Sequence, residues 1–306
     1  MSHKPNNPIT TQGKRWGDED KLTWLNKQSI KRSYHQDVLT NIEQWAADFD
    51  VINYGALTHD IKKYPLYLVK TKNWQLNKKN ILVTGGVHGY ETSGVKGAIR
   101  FIESQALNYT EQFNLIIAPC ISPWGYETIN RWNAKAIDPN RSFYKNSPAE
   151  ESAALMHYFD EHHLDIFAHI DLHETTDTDN TTFRPALSAR DAVEQKEWQI
   201  PDGFYLVGDV INPADDFQHA IITAVEKVTH IAPSDEQGKL IGVLLSQRGV
   251  INYNTKALGL CSGFTEAQWV TTTEVYPDSA NVDDETCIIA QVTAISAALD
   301  FIMNIK

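Results

Sequence analysis

Short apolar segments rich in β-branched residues alternate with helical segments along most of this 306-residue chain. Runs of four to eight such residues favour strands, whereas apolar residues three and four positions apart favour helices. We predict strands at 51–57, 65–71, 80–86, 113–122, 164–173 and 203–210, and a short strand that ends in GFTEA at 263–267. We predict helices at 33–49, at 91–103, after Ser147, and at about 216–228 and 284–304. This alternation predicts an α/β fold with a central mixed, mostly parallel β-sheet and helices on both faces.

Composition and charge narrow the class of protein. The chain is 42% hydrophobic and 22% charged, as is ordinary for globular domains, and its formal net charge is −12. This acidic balance disfavours nucleic acid and anionic membranes as partners, because both bind to basic surfaces. We see no apolar run that approaches the roughly 20 residues needed to cross a bilayer, and no secretory signal. The three cysteines are widely spaced, so we predict buried thiols and a cytoplasmic location.

The segment GGVHGYE at 85–91 leaves a predicted strand through two glycines and presents His88 and Glu91 three residues apart. That spacing puts both side chains on one side of the first turn of the next helix. His173 ends another predicted strand, and functional groups of α/β sheets collect at strand ends. Two histidines and a carboxylate are a ligand set of catalytic zinc sites, which keep one position for water. We therefore predict a zinc site at these three residues.

Four motifs in this order resemble the zinc carboxypeptidase family. This is the M14-type metallocarboxypeptidase group, which includes the aspartoacylase and succinylglutamate desuccinylase branch. The motifs are GGVHGYE (85–91), NRWNAKAIDPNRSF (130–143), IDLHE (170–174) and GFTEA (263–267). The resemblance covers about residues 80–270 and implies a zinc carboxypeptidase-like, phosphorylase/hydrolase-like fold. The family's Asn-Pro-Asp-Gly stretch is replaced by SPWG at 122–125, which implies an altered local pocket.

The resemblance also implies a metal centre. His88, Glu91 and His173 would hold one Zn²⁺ per chain, and Asp138 would orient a metal-bound histidine by accepting its other ring proton. The flanking Asp171 and Glu174 leave a second metal ion open as an alternative.

The remaining matches imply roles in catalysis and substrate binding. Glu266, in GFTEA, would be the general base that takes a proton from water and passes it to the leaving amine. Arg131 would stabilise the oxyanion, and Asn140 and Arg141 would bind the free carboxylate of the substrate. Tyr253 is a candidate for the tyrosine that closes over the substrate in this family.

These roles predict a metallopeptidase that hydrolyses the C-terminal peptide bond of a peptide with a free carboxylate. Residues 46–306 would form the catalytic domain, and residues 1–45 a polar tail and an amphipathic helix packed on it. One alternative keeps the zinc site but cleaves an N-acyl amino acid, as the deacylase branch does. Another is a non-catalytic binding protein on the same fold.

Overall fold

The structure is a computed structural model that describes residues 14–196 and 198–305, and its centre is an eight-stranded sheet. The strands of this sheet are β1 (Phe49–Ala56), β2 (Pro65–Thr71), β3 (Lys79–Gly85), β4 (Phe113–Ala118), β5 (Ala168–Glu174), β6 (Tyr205–Asp209), β9 (Val250–Tyr253) and β10 (Trp269–Val275). Their order is β1-β2-β4-β3-β5-β10-β6-β9, and β7 (Lys239–Leu240) and β8 (Val243–Leu244) form a separate hairpin. The central strands β4, β3, β5 and β10 run parallel. β2 pairs antiparallel with β1 and β4, whereas β6 pairs antiparallel with β10 and parallel with β9.

Helices cover both faces of this sheet. They are α1 (Asp18–Leu25), α2 (Thr40–Trp45), α3 (Thr92–Ser104), α4 (Pro123–Thr128), α5 (Glu150–Glu161), α6 (Arg184–Asp191), α7 (Asp215–Val225) and α8 (Asp284–Asn304). Along β3, Ile81 and Val83 belong to the core that includes α3, whereas Leu82 belongs to the core that includes α5. Because successive side chains of a strand point to opposite faces, the burial of all three means that both faces are covered. The predicted fold is confirmed.

Two segments differ from their predictions. The predicted strand that ends at 263–267 is wrong, because Cys261–Gly263 forms a 3-10 turn and the strand, β10, lies beyond it. At Gly263 a Cβ would come within 2.4 Å of the Thr255 backbone, so this part of the chain packs against another loop and does not pair in the sheet. The predicted helix at 33–49 is divided into a π-helix at His35–Leu39 and α2.

The described part of the N-terminal segment packs on the core through tryptophans. The ring centroid of Trp24 in α1 lies 5.7 Å from that of Trp132, and Trp16 meets Trp132 edge-on at 6.0 Å. The backbone N–H of Trp16 also donates to the carbonyl of Arg190 in α6 at 2.9 Å. Residues 1–13 of the predicted polar tail lie outside the described residues. The segment therefore joins α6 to the loop that follows α4.

Among the described residues, only α8 is long and apolar enough, by length and composition, to cross a bilayer. This corrects the expectation that the chain holds no such run. In the structure α8 packs against α3 and α7. Ala290, Ala294 and Ala298 are fully buried along it, which lets neighbouring backbones approach closely. Half of the apolar window of this helix is buried in the structure.

Candidate metal centre and catalytic cavity

The three predicted metal ligands meet beyond the carboxyl ends of β3 and β5. His173 lies in β5, while His88 and Glu91 lie in the turn between β3 and α3. Gly86 adopts a φ of 62°, a conformation that glycine favours, and this lets the chain leave β3 sharply. At Gly89 a Cβ would lie 2.0 Å from the Tyr126 backbone nitrogen, so only glycine lets this turn approach α4 so closely. The glycines thus set where the ligands stand.

The carboxylate of Glu91 lies between the two imidazoles. Its Oε1 is 2.8 Å from His88 Nδ1 and its Oε2 is 2.7 Å from His173 Nδ1. All three side chains are buried, and one donor atom of each lies within 4.8 Å of the others. Burial alone would raise the pKa of Glu91, but His173 and His88 outweigh it and lower that pKa to about 2. The carboxylate is therefore ionised at neutral pH.

The hydrogen bonding of this cluster is incomplete in a way that fits a cation. The contact between His173 Nδ1 and Glu91 Oε2 is short, yet its angles are not those of a hydrogen bond, and Oε2 has no hydrogen-bond partner among the described residues. Unprotonated Nδ1 atoms would face the carboxylate with lone pairs, and lone pairs that converge repel unless a cation or extra protons separate them. Two imidazole nitrogens and a carboxylate are also zinc donors. The residues therefore fit the predicted metal.

Each histidine is oriented from behind by a second carboxylate. His88 Nε2 donates to Asp138 Oδ1 at 2.9 Å, and His173 Nε2 donates to Asp171 Oδ2 at 2.9 Å. Burial disfavours the charged imidazole of His173, but Asp171 and Glu91 outweigh it and raise its pKa well above the usual range. Carboxylates that accept from Nε2 leave Nδ1 free for a metal. Asp138 thus stands where the resemblance implies, and Asp171 is the matching partner of the other histidine.

A buried hydrogen-bond chain extends from Asp171 away from the metal ligands. Thr84 Oγ1 donates to Asp171 Oδ1 at 2.7 Å and lies 2.9 Å from His169 Nε2. His169 Nδ1 is in turn 3.2 Å from the Thr265 hydroxyl. Burial lowers the pKa of His169 to about 4, so its ring is neutral, with Nε2 donating to Thr84 and Nδ1 accepting from Thr265. We call these four residues, Asp171, Thr84, His169 and Thr265, the Asp171 relay.

A second group of buried donors lies close by but does not need a metal. His169, Asp171 and Cys261 each have a potential ligand atom within 4.8 Å of the others. Thr84 Oγ1 already stands among them, bonded to Asp171 and His169 and 3.7 Å from Cys261 Sγ. Glu174, the other flanking acid, accepts from the backbone N–H groups of Thr92 and Ser93 at the start of α3. These partners account for both acids without a second ion.

Arg131, Asn140 and Arg141 line the same cavity as the metal ligands. Arg131 Nε donates to Asp138 Oδ2 at 3.0 Å and its Nη1 lies 3.4 Å from Asp179 Oδ1, whereas Nη2 has no hydrogen-bond partner among the described residues. Arg141 is open to solvent in the cavity, and its one hydrogen bond in the described residues runs from Nη1 to the Asn140 carbonyl, at 2.8 Å. Tyr253 of β9 also lines the cavity. The structure thus brings together every predicted site residue except Glu266.

Glu266 lies outside the cavity. Its side chain is 83% exposed and pairs with Lys256 at 2.8 Å on the surface. A different glutamate, Glu274 of β10, lines the cavity, where Thr175 Oγ1 donates to its Oε2 at 2.8 Å. Burial raises the pKa of Glu274 to about 8. In the sequence, Glu274 stands near the end of the β-branched run VTTTEV, which is typical of a strand. We missed it because GFTEA, a few residues earlier, also presents a glutamate after a short apolar segment.

Comparison with known proteins gives the class of this fold. A candidate metallopeptidase from Shewanella amazonensis SB2B matches with a TM-score of 0.66 at 17% identity, over 90% of this chain and 98% of that one. A metallo-carboxypeptidase from Burkholderia cenocepacia matches with a TM-score of 0.58 at 15% identity, over 94% and 70%. Bovine thrombin-activatable fibrinolysis inhibitor, solved with tick carboxypeptidase inhibitor, matches with a TM-score of 0.58 at 13% identity, over 92% and 100%. The fold is that of the zinc carboxypeptidases.

A sequence comparison points to the same family. The zinc carboxypeptidase family model, Peptidase M14, matches residues 48–185, which include all three predicted metal ligands. The match spans less than half of the chain, and it confirms the predicted resemblance to that family. No curated protein sequence matches the chain. The matched range ends before β6, so Tyr253 and Glu274 lie beyond it.

Proposed function

We propose that this protein is a zinc-dependent carboxypeptidase that removes the C-terminal residue of a peptide and binds one zinc ion per chain. One observation carries the proposal. A single cavity is lined by the convergent ligand set of His88, Glu91 and His173, by a carboxyl group of raised pKa at Glu274, and by Arg141, which has no carboxylate partner among the described residues. These are the groups needed to activate water and to hold a substrate carboxylate.

We assign the general base to Glu274 and withdraw that role from Glu266. Thr175 fixes one carboxylate oxygen of Glu274, and the other has no hydrogen-bond partner among the described residues. A base works best when its pKa lies near the operating pH. A bound dication would lower the value of about 8, which keeps the carboxylate form available at neutral pH. Glu274 would take the proton of the attacking water and deliver it to the leaving amine.

Zinc held by His88, Glu91 and His173 would polarise the scissile carbonyl and lower the pKa of the attacking water. Arg131 would stabilise the oxyanion with its uncommitted Nη2. Burial alone would lower the pKa of Arg131, but Asp138 outweighs it and the pKa is raised well above the usual range. Its charge is therefore permanent during the reaction.

Asn140 and Arg141 would bind the C-terminal carboxylate. Asn140 Oδ1 accepts from the Cys261 backbone N–H at 2.7 Å, which fixes the amide and leaves its NH₂ group as the donor. That nitrogen is 3.4 Å from His173 Nε2, which already donates to Asp171 and cannot accept. The planar guanidinium of Arg141 can bind a carboxylate through two parallel hydrogen bonds.

The test compares N-blocked tripeptides that carry a free C-terminal carboxylate with the same peptides as C-terminal amides. We expect the zinc-loaded protein to release the C-terminal residue from the free acids at least about 100-fold faster, because the amides lack the charge that Arg141 would bind. N-acyl amino acids form a further arm that tests the deacylase alternative. Zinc-loaded protein that releases no residue from any free-acid peptide would overturn the proposal.

A further inference from the structure

Arg184, the first residue of α6, lines the cavity but has no part in the proposed reaction. Its guanidinium carbon lies 4.2 Å from the ring centroid of Trp198, and its Nη1 donates to the Lys196 carbonyl at 2.9 Å. These two contacts hold the group in place. Its Nε is buried and has no hydrogen-bond partner among the described residues. Buried N–H groups are nearly always hydrogen-bonded, so a fixed guanidinium with an unpaired buried N–H favours the binding of a ligand that supplies an acceptor.

The arginines of this cavity differ in their counter-ions. Arg131 pairs with two carboxylates, whereas Arg141 and Arg184 have no carboxylate within 4.0 Å among the described residues. Arg184 is half-buried, and partial desolvation lowers its pKa. A cation that has lost water without gaining an anion is unfavourable until an anion binds. The cavity therefore offers two separate places for negative charge besides the metal.

No acid of the described chain can supply the second anion without giving up its own contacts. Asp179 exerts the largest electrostatic effect of a nearby acid on Arg184. Its Oδ1 accepts from Tyr90 and Arg131, and its Oδ2 accepts from the Thr176 backbone N–H. Asp179 is therefore already committed, and Arg184 has no carboxylate partner among the described residues.

The two unpaired arginines line the same cavity, and Tyr253 lines it with them. Burial raises the pKa of Tyr253 to about 12, while Arg141 and Arg184 both act to lower it. A single small substrate could therefore contact both guanidinium groups.

We propose that Arg184 binds a second carboxylate of the substrate, so that the preferred substrates are dicarboxylic. This inference rests on the proposed function, because it takes Arg141 as the site of the first carboxylate. The second carboxylate has three possible sources. They are the side chain of a C-terminal aspartate or glutamate, that of the preceding residue, and the acyl group of an N-dicarboxyl amino acid.

The experiment compares kcat/KM for matched pairs of N-blocked peptides that differ only as glutamate against glutamine, at the last or at the preceding position. N-succinyl and N-butyryl alanine form a third pair. We expect wild-type protein to prefer the charged member of one pair by about 10-fold or more, since a hydrogen-bonded charge contributes that much to recognition. The pair that shows the preference identifies the source. If wild-type protein gives equal kcat/KM for the charged and the neutral member of all three pairs, the inference is overturned before any variant is made.

In the pair that shows the preference, Arg184→Gln should bring the ratio of kcat/KM for the charged member to that for the neutral member close to one. The amide keeps much of the length of the side chain but not its charge. Arg248→Gln is the matched control, since Arg248 pairs with Glu226 and does not line the cavity. It changes the net charge of the protein equally and should keep the ratio. A ratio that survives in Arg184→Gln would assign the preference to another group.

A binding measurement separates this inference from the proposed function. Zinc-loaded Glu274→Gln protein would be titrated by calorimetry with N-acetylglutamate and N-acetylglutamine, in the presence or absence of Arg184→Gln. Tighter binding of the glutamate, lost with Arg184→Gln, supports the inference even if no peptide is hydrolysed. Equal binding of the two ligands, in an enzyme that hydrolyses peptides but shows no preference in any of the three pairs, overturns the inference and leaves the proposed function standing.

Discussion

Glu274 and His173 lie opposite each other on neighbouring parallel strands, in register across β10 and β5. Residues in register on parallel strands point to the same face of a sheet, so the carboxyl group is held beside a metal ligand by backbone pairing. A general base placed in this way needs no loop movement to reach the reacting water.

The first prediction follows from this position. Glu274→Gln should lower kcat by about 10²- to 10⁴-fold, the usual contribution of a general base, while zinc content stays near that of the wild type. Steady-state kinetics and metal analysis would measure both. Glu266→Gln is the matched control, and because Glu266 is exposed and pairs with Lys256, its kcat should be unchanged. A large loss in the control and none in Glu274→Gln would return the role to Glu266.

Zinc binding should release protons. The pKa of His173 is raised well above its usual range and that of Glu274 is raised to about 8, so both carry protons at pH 7 in the metal-free protein. A metal needs the lone pair of a neutral imidazole and disfavours a protonated carboxyl group nearby. We expect release of about one to two protons at pH 7, and apparent affinity that rises with pH. Calorimetry in two buffers of different ionisation enthalpy would measure this, and identical heats in both would contradict it.

The Asp171 relay gives a third prediction. Thr84→Val removes the hydroxyl that donates to Asp171 and accepts from His169, which leaves two buried polar groups without partners. The free energy of unfolding should fall by about 1–3 kcal/mol, and zinc affinity by about 10- to 100-fold because Asp171, which orients His173, loses the donor that holds its other oxygen. Urea unfolding and zinc titration would measure these changes. Thr84→Ser keeps the hydroxyl and should lie much closer to the wild type in both.

The buried His169 predicts a pH dependence of stability in the metal-free protein. Its pKa is lowered by burial to about 4, against an ordinary value of 6.5 in the unfolded chain. Between these values the unfolded chain binds the proton first, so stability that is present above pH 6.5 is lost as the pH falls toward 4. The loss should reach the order of 3 kcal/mol. His169→Gln should flatten this slope in urea unfolding, whereas His219→Gln, at an exposed position of α7, should retain it.

The sequence was sufficient for the parts of the site that come from short, continuous motifs. His88 and Glu91 share one turn, and His173 ends a strand whose apolar run is unmistakable. The sheet order, by contrast, inserts β10 between β5 and β6, although β10 follows both in the chain. The pairing of Glu274 with His173 depends on that order, and no local pattern encodes it.

The strand predicted to end in GFTEA is wrong for a physical reason. A glutamate after a short apolar segment looks the same whether the chain pairs in a sheet or turns through a 3-10 helix. At Gly263 the chain packs so closely against the backbone of Thr255 that it forms the turn and does not pair in the sheet. Arg184 was not predicted, because its proposed role depends on the lack of a carboxylate partner among the described residues, and a sequence does not show which charges are paired.

Both histidines of the metal centre face Glu91 with Nδ1, the ring nitrogen nearer the backbone. Nδ1 lies about as far from the main chain as the side-chain oxygen of an asparagine, whereas Nε2 lies about as far as that of a glutamine. Histidines that bind through Nδ1 therefore reach less far than histidines that bind through Nε2. Because these arms are short, the separation of the donor atoms is governed mainly by the main chain where the adjacent strands β3 and β5 end. The size of ion that would fit this candidate site is therefore a property of the sheet, and altering it would require moving strand ends as well as exchanging side chains.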